Sequence, residues 1–449
     1  MKISVFGLGR LGLVTAACFA TRGHTVFGID TDLRRTRSAR NGEPLFFEPN
    51  LKRYLTRAIR KGFLTVIQDD SLSPGSDLAM ITVGSPAQKD GSINLTYLKQ
   101  AAKTIGRSLR TANAYQLVVV RSTVTPGTTR NVVKPILEKE SAKEAGRQFG
   151  LCSNPEFLRE GNAINDILHP DRIIIGSEFA EDAKRLGTFY KRFYRNNSPP
   201  ILATTHENAE LIKYASNAFL ATKVSFVNCI ANIAERIPGA DVSVVASGIG
   251  MDPRIGSQYL KAGLGWSGSC LPKDVSALQR FSSTLGYKAE LIEATAKTNH
   301  MQFRRAVQFA KSALVSLRGK RVAVLGLAFK PNTDDVRSAI SIQVVRALLK
   351  QRARIVAYDP AAMESTRTLF KNRIEYASDA IDCIRGADCA IIVTEWNEFK
   401  SILPHIFIKQ MRHPIVIDGR RIYDPERFTQ TGVRFLAIGL GPVRAGGQL

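Results

Sequence analysis

The 449-residue chain contains no apolar run near the ~20 residues that cross a bilayer, so no membrane-spanning helix is expected. Its six cysteines are scattered, with neither the density of a disulfide framework nor the paired spacing of a metal site. They read as reduced thiols of a cytosolic protein. No signal peptide is expected at the start of the sequence, because Met1 to Phe6 read as a strand with glycines and Arg10 directly after it. Acid is also scarce: 39 Asp and Glu stand against 63 Lys and Arg, a net charge of +24. Such a balance suits a nucleic-acid binder. The basic residues are spread out, however, with Arg34, Arg35, Arg37 and Arg40 early, Lys184 to Arg192 in the middle, and Arg352 and Arg354 late. No nucleic-acid-binding motif accompanies them. What remains is a basic surface that attracts anionic small ligands, with no nucleic acid and no membrane as partner.

What is present is an α/β pattern too long for one core. Short apolar strands read at Lys2–Phe6, Thr25–Ile29, Leu78–Val83, Leu117–Arg121 and Arg172–Ile175, alternating with helical stretches as parallel βαβ units do. Asn196 to Pro200 form a turn-rich break. A helical pattern without Pro or Gly then runs from about Thr205 to Arg236, longer than a crossover helix, as in domain bridges and dimer interfaces. Thr205 is its expected N-cap, with Glu207 and Glu210 placing negative charge in the early turns. A second α/β unit opens at Lys320, and the two ends echo each other: Gly28-Ile29-Asp30 matches Ala357-Tyr358-Asp359, and Gly75–Ile81 matches Gly386–Ile392. The expected fold is α/β, two Rossmann-like doubly wound domains joined by a long central helix or helical domain. The expected domains are residues 1–200, 201–300 and 301–449.

Gly7-Leu8-Gly9-Arg10-Leu11-Gly12 follows a strand and opens a helix, and Asp30 ends the next strand 18 residues on. Those glycines permit a tight turn and close approach to a pyrophosphate, which the helix N-terminus attracts. Asp30 suits an adenosine ribose and hence NAD, although Arg34 and Arg35 stand nearby. The second unit lacks this fingerprint, since Gly326 is followed by Leu-Ala-Phe-Lys330, and is expected to hold a different phosphate-bearing ligand.

Gly268-Ser269-Cys270-Leu271-Pro272-Lys273-Asp274 has what a covalent nucleophile needs: small neighbours that leave the sulfur open, a lysine favouring thiolate and an acid to handle a proton. A lone cysteine is equally a small buried hydrophobe. Glu156 and Glu160 stand four apart, sharing a face if their stretch is helical, and Lys213 and Asn217 stand four apart on the long helix. Carboxylates so placed serve as general base or water organiser, and a lysine with an amide can hold an alkoxide and a water. Taken singly, each pair is also an ordinary solvated pair.

Together these motifs resemble the UDP-glucose/GDP-mannose dehydrogenase family. The resemblance runs from Gly7 to about Arg421 in nine ordered blocks: GLGRLG, VVVRSTVTPGTT, SNPEFLREGNAI, PDRIIIG, AELIKYASNAF, DPRIG, GSCLPKD, GLAFKPNTDDVR and DGRR. It implies a four-electron oxidation of a sugar C6 alcohol to a carboxylate, reducing two NAD. By motif position, Cys270 forms a thiohemiacetal and then a thioester, and Lys213 stabilises the oxyanion. Asn217, Asp274 and Thr123 position and activate water, Glu156 assists thioester hydrolysis, and Glu160 supports them. The resemblance assigns cofactor contacts to Gly7, Gly9, Leu11, Gly12, Asp30, Arg35, Thr123, Glu160, Lys273 and Arg337. Sugar-nucleotide contacts fall to Glu156, Phe157, Leu158, Lys213, Asn217, Arg254, Tyr259, Gly263, Lys330 and Arg421, with Arg420 as the alternative to Arg421. Arg254 is expected to reach the sugar from a partner subunit, making the protein a homodimer or larger homo-oligomer. The chain departs from the family at Arg10-Leu11, at Ser267 before the cysteine, and at Ser338-Ala339-Ile340 after Arg337. PDRI and DPRIG are nearer the UDP-glucose branch, so UDP-glucose is the expected substrate and GDP-mannose the alternative.

Overall fold

The computed structural model describes residues 1–68 and 75–442. Its chain forms two compact units, one of residues 1–216 and 276–285, the other of 217–275 and 286–449.

In the first unit, eight strands form one sheet: β1 (Lys2–Phe6), β2 (Thr25–Ile29), β3 (Leu64–Ile67), β4 (Leu78–Ile81), β5 (Leu117–Val120), β6 (Gly150–Ser153), β7 (Ile173–Gly176) and β8 (Ile201–Thr204). Their order is β3-β2-β1-β4-β5-β6-β7-β8. Every pairing is parallel except β6 with β7. Central strands such as Leu-Val-Val-Val of β5 are buried throughout, because helices cover both faces of a parallel sheet. Two apolar clusters lie on the two faces, one around Phe19, Leu55 and Phe189, the other around Ile105, Leu137 and Phe149.

In the second unit, β9 (Arg321–Leu325), β10 (Arg354–Tyr358), β11 (Glu375–Tyr376), β12 (Cys389–Ile392), β13 (Ile415–Asp418) and β14 (Arg434–Ala437) form an all-parallel sheet, ordered β11-β10-β9-β12-β13-β14. Both sheets reverse their strand order beside their first strand, β1 against β4 and β9 against β12. In doubly wound sheets, ligands bind at that reversal, outside the carboxyl ends of the strands.

The long helix spans His206–Ala234. The Thr205 hydroxyl accepts from the Asn208 amide at 3.2 Å, so Thr205 is the N-cap. The Asn-Asn-Ser-Pro-Pro break holds the end of a 3-10 turn, Arg195–Asn197, and three irregular residues before β8. In the first unit, three strands carry no clear sequence signal: β3, β6 and β8.

Candidate active site

The cofactor turn is built as its glycines require. Gly7 sits at φ +96°, where a Cβ would lie 2.8 Å from the Val83 Cα. A Cβ on Gly12 would lie 1.8 Å from the Gly7 carbonyl oxygen, so the helix Arg10–Thr21 packs against the turn only with glycine there. Gly9 differs from both, for a Cβ on it would meet nothing within 4 Å. Its openness is the space a pyrophosphate needs above the helix N-terminus. Asp30 is buried, accepting the Leu8 amide at 2.7 Å and the Asp32 amide at 2.9 Å, with Arg35 at 3.4 Å. A carboxylate has about four acceptor sites, so Asp30 keeps capacity for a ribose hydroxyl. Open glycine, packed glycine and a part-used carboxylate fit NAD. Arg10, the departure within this turn, lies 3.7 Å from Glu160 and stacks over the Phe46 ring at 4.8 Å.

Glu156 and Glu160 do not share a helix face. Asn154–Arg159 is irregular, and helix resumes only at Ala163–Leu168. Pro155 within the stretch disfavours helix at the residue before it. The two carboxylates therefore part, Glu160 toward Arg10 and Glu156 toward the buried Lys213, whose Nζ donates to Glu156 Oε1 at 3.2 Å. Glu156 also accepts the Leu158 amide, which folds the segment back on itself. The Phe157 ring lies 5.3 Å from Lys213 Nζ and carries the Arg172 guanidinium at 4.1 Å. Thr123 follows β5, and its carbonyl accepts the Ser85 hydroxyl at 2.7 Å. A small cavity lined by Ser122, Thr123, Thr129, Ser153, Glu210 and Lys213 places Thr123 with the lysine.

In the second unit, Cys270 immediately precedes the helix Leu271–Thr284, and its carbonyl accepts the Asp274 amide at 2.9 Å. A sulfur there meets the positive end of the helix dipole, which favours thiolate. The lysine proposed for that task is engaged elsewhere: Lys273 Nζ donates to Asp274 Oδ1 at 2.6 Å. Asn217 Nδ2 donates to the other oxygen, Asp274 Oδ2, also at 2.6 Å. Asp274 is thus 1% exposed, with each of its oxygens accepting a hydrogen bond. The Ser269 hydroxyl lies 3.6 Å from the sulfur.

The remaining sequence candidates of this unit all lie in turns and irregular segments. Gly263 donates its amide to Asn228 Oδ1 at 2.8 Å, and a Cβ on it would meet the Gly419 carbonyl at 3.0 Å. Arg420 turns into the same loop, donating to the carbonyls of Gly265 at 3.0 Å and Val393 at 2.6 Å. Arg421 turns away, to Asp241 at 2.6 Å and Ser243 at 3.1 Å. Tyr259 takes a left-handed φ of +64°. Lys330 Nζ lies 5.7 Å from the Phe329 ring, Arg337 pairs with Asp335 at 2.6 Å, and the exposed Arg254 pairs with Asp252 at 2.6 Å. Among the described residues no group of His, Cys, Asp and Glu could hold a metal ion. No helix among them is long and apolar enough to cross a membrane.

Two polar residues of the long helix, His206 and the early-turn charge Glu210, have partners that no sequence reading supplies. His206 and Glu210 precede Lys213 on one helical face, and both are buried. The Ser153 hydroxyl lies 2.8 Å from His206 Nδ1, and burial lowers that imidazole to about 4. Burial pushes the Glu210 carboxyl up to about 7, against the hydrogen bonds it accepts from Thr129 and Gly127. The i, i+4, i+7 spacing is the one local signal. Their partners lie 53 to 83 residues away, beyond any local pattern.

Two Rossmann-like units, one carrying an NAD-compatible turn and a buried lysine–carboxylate pair, the other a thiol beside a buried acid, define an oxidoreductase that uses a nicotinamide cofactor. The chain belongs to the UDP-glucose/GDP-mannose dehydrogenase family: its residues 1–194 match the NAD binding domain, 207–301 the central domain and 323–425 the UDP binding domain. It is 41% identical to the UDP-glucose 6-dehydrogenase TuaD of Bacillus subtilis over 99% of this chain and 94% of that protein. It is 40% identical to the UDP-glucose 6-dehydrogenase AglM of Haloferax volcanii over 94% and 97%. A UDP-glucose dehydrogenase structure from Pyrobaculum islandicum superimposes with a TM-score of 0.89 at 38% identity, covering 98% of each chain. The protein is an NAD-dependent dehydrogenase acting on a nucleotide sugar.

Proposed function

We propose that the substrate is UDP-glucose and that the product is UDP-glucuronate, formed through a thioester on Cys270. The observation that carries the reading is the cluster at the start of the helix Leu271–Thr284. There a thiol at a helix N-terminus stands beside a buried carboxylate fixed by Asn217 and Lys273 at 2.6 Å each. Its relatives' names and identities support the choice of UDP-glucose, with GDP-mannose as the alternative.

In the cofactor turn, Gly7, Gly9, Leu11 and Gly12 hold the pyrophosphate, Asp30 and Arg35 the ribose, with Thr123, Glu160, Lys273 and Arg337 as further contacts. NAD supplies the acceptor for each of the two hydrides that leave C6. Lys213 holds the C6 oxygen as it loses its proton and becomes an aldehyde oxygen. The Cys270 thiolate then adds to the aldehyde carbon, giving a thiohemiacetal whose oxyanion Lys213 stabilises. Loss of the second hydride leaves a thioester. Water, placed by Thr123, Asn217 and Asp274, adds to the thioester carbon, Glu156 assists, and the C–S bond breaks to release carboxylate and thiol. A tethered intermediate cannot escape as free aldehyde, which gives a dehydrogenase its reason for a cysteine.

Phe157, Leu158, Tyr259, Gly263 and Lys330 contact the sugar nucleotide in this reading. Of the two adjacent arginines, Arg420 is favoured for the nucleotide because it lies against the Gly263–Gly265 loop, while Arg421 is turned to Asp241. Residues 1–200 carry NAD, 201–300 pair subunits and 301–449 hold the sugar nucleotide. Pairing is supported by the exposed Phe219, Phe226, Ile233 and Ile237, which run along one side of the long helix and its end. In a dimer, Arg254 reaches the partner's sugar.

The test is NADH formed per UDP-glucose consumed, in the wild type and in Cys270→Ser. Two NADH per sugar, with the variant unable to complete turnover, is the expected result. One NADH per sugar would overturn the thioester route. Faster oxidation of GDP-mannose than of UDP-glucose would overturn the substrate.

A further inference from the structure

Glu210 is 3% exposed, and the reaction as derived gives it no task. A buried carboxylate is expensive to keep unless donors surround it. Its donors here, two backbone amides and the Thr129 side chain, all belong to one distant segment. Gly127 donates to Oε2 at 2.6 Å and Thr129 to Oε1 at 2.9 Å, so both oxygens of one side chain hold amides two residues apart. That segment leaves β5 through Thr123. It is closed by a turn in which the Thr128 amide donates to the Thr125 carbonyl at 3.1 Å, and Gly127 takes a φ of +86°. Its front end is fixed by the Ser85 hydroxyl on the Thr123 carbonyl. Glu210 fixes its rear end.

Glu210 also lies three residues, just under one helical turn, before Lys213, and Glu210, Lys213 and Thr123 line one cavity. The segment bearing Thr123 and the helix bearing Lys213 are therefore pinned together by one carboxylate inside a single compact unit. The charged groups that act on it include Glu207 and Arg130. Arg130 bonds Glu207 and Glu178, and Lys134 bonds Glu178, so the nearby cations are already matched by other acids.

We propose that Glu210 is a positioning residue that sets the placement of Thr123 against Lys213 and thereby serves hydrolysis of the thioester. The proposal rests on the reading of Thr123 as a water-positioning group. Displacing a reacting group by about 1 Å can cost on the order of 100-fold, so a clamp on the loop has catalytic weight without touching substrate. Glu210→Gln keeps the shape but turns an NH2 donor toward one of the two amides.

The experiment mixes UDP-glucose and NAD with wild type, Glu210→Gln, Glu210→Asp, Thr123→Ala and the Glu210→Gln/Thr123→Ala double variant. It reads the acyl adduct on Cys270 by intact-protein mass, kcat, both KM values and melting temperature. Expected for Glu210→Gln is a fall in kcat on the order of 10- to 100-fold, with acyl-enzyme accumulating, both KM values falling with it, and kcat/KM for each substrate within about two-fold of wild type. Thr123→Ala is expected to accumulate the same adduct, and the double variant to be no slower than the slower single. Glu210→Asp, which keeps the charge, is expected to recover part of the rate and reads the same quantities if Glu210→Gln fails to fold. Normal hydrolysis in Glu210→Gln beside slow hydrolysis in Thr123→Ala overturns the proposal alone, as do multiplicative losses in the double variant. Normal hydrolysis in Thr123→Ala overturns the reading of Thr123 and the proposal with it.

Discussion

The first strand of each unit ends in the same turn, and the two turns have opposite relations to their acid. In both, a glycine at positive φ follows the strand, Gly7 at +96° and Gly326 at +103°. In both, that glycine's amide donates to the end of the neighbouring strand, to Ile29 at 2.7 Å and to Tyr358 at 2.8 Å. In both, an aspartate at the end of that strand faces the turn. Asp359 accepts from the amides of Leu327, Ala328, Ala361 and Ala362 and from the Trp396 indole, all within 3.0 Å. Asp30 accepts from two amides and has one long contact to Arg35. The second aspartate is a saturated internal staple and the first is a partly free acceptor. The same residue at the same place in a repeated fold thus acts as structure or as ligand contact according to how many donors the surrounding chain aims at it.

Gly12→Ala should give the largest effect, because its Cβ collides with the Gly7 carbonyl and the Thr82 hydroxyl. A loss of about 3 kcal/mol is expected in urea unfolding of the first unit. Next is Asp359→Asn, whose amide NH2 meets N–H donors on an already full side. About 2 kcal/mol of stability should go, with the KM for NAD unchanged. Asp30→Asn tests the contrast directly: a stability change of about 1 kcal/mol, since its NH2 faces only one of two amides and Arg35 is half exposed, but a rise on the order of ten-fold in the KM for NAD. Equal destabilisation by the two Asn variants would break the comparison. The smallest change in stability belongs to Gly9→Ala, which gives the first turn the residue that the second carries at Ala328. With open space around Gly9, folding should shift by less than about 0.5 kcal/mol while NAD binding weakens several-fold, as titration calorimetry would measure.

The repetition itself was legible in the sequence, because strand, glycine and terminal aspartate recur at matching places. β1 and β2 fall at the residues read from their apolar runs, and the long helix lies within two residues of its expected ends at His206–Ala234. β6 escaped because Gly-Leu-Cys-Ser carries no β-branched residue. β3 and β8 are four-residue strands that are only partly buried. Asn154–Glu160 was legible as important but not in shape, since its path is set by Lys213 and Arg10 binding its two carboxylates in different directions. Glu210 was read as a charge suited to an early helical turn. Its duty lies 83 residues upstream in the chain, and only folding reveals it.

The distribution of sulfur makes the protein easy to label. Burial pushes the Cys18 thiol up to about 12 and raises Cys152, Cys383 and Cys389 as well, so at neutral pH these four hold their protons and stay out of reach. Cys229 is exposed, and Cys270 is half-buried at a helix N-terminus. A maleimide or iodoacetamide titration of the folded protein should therefore count Cys270, and also Cys229 wherever the long helix, which carries it between Phe226 and Ile233, is left unpaired. The faster of the two should be the one whose alkylation stops turnover, so the native chain carries its own built-in handle for an active-site probe, and its own point of attack for peroxide.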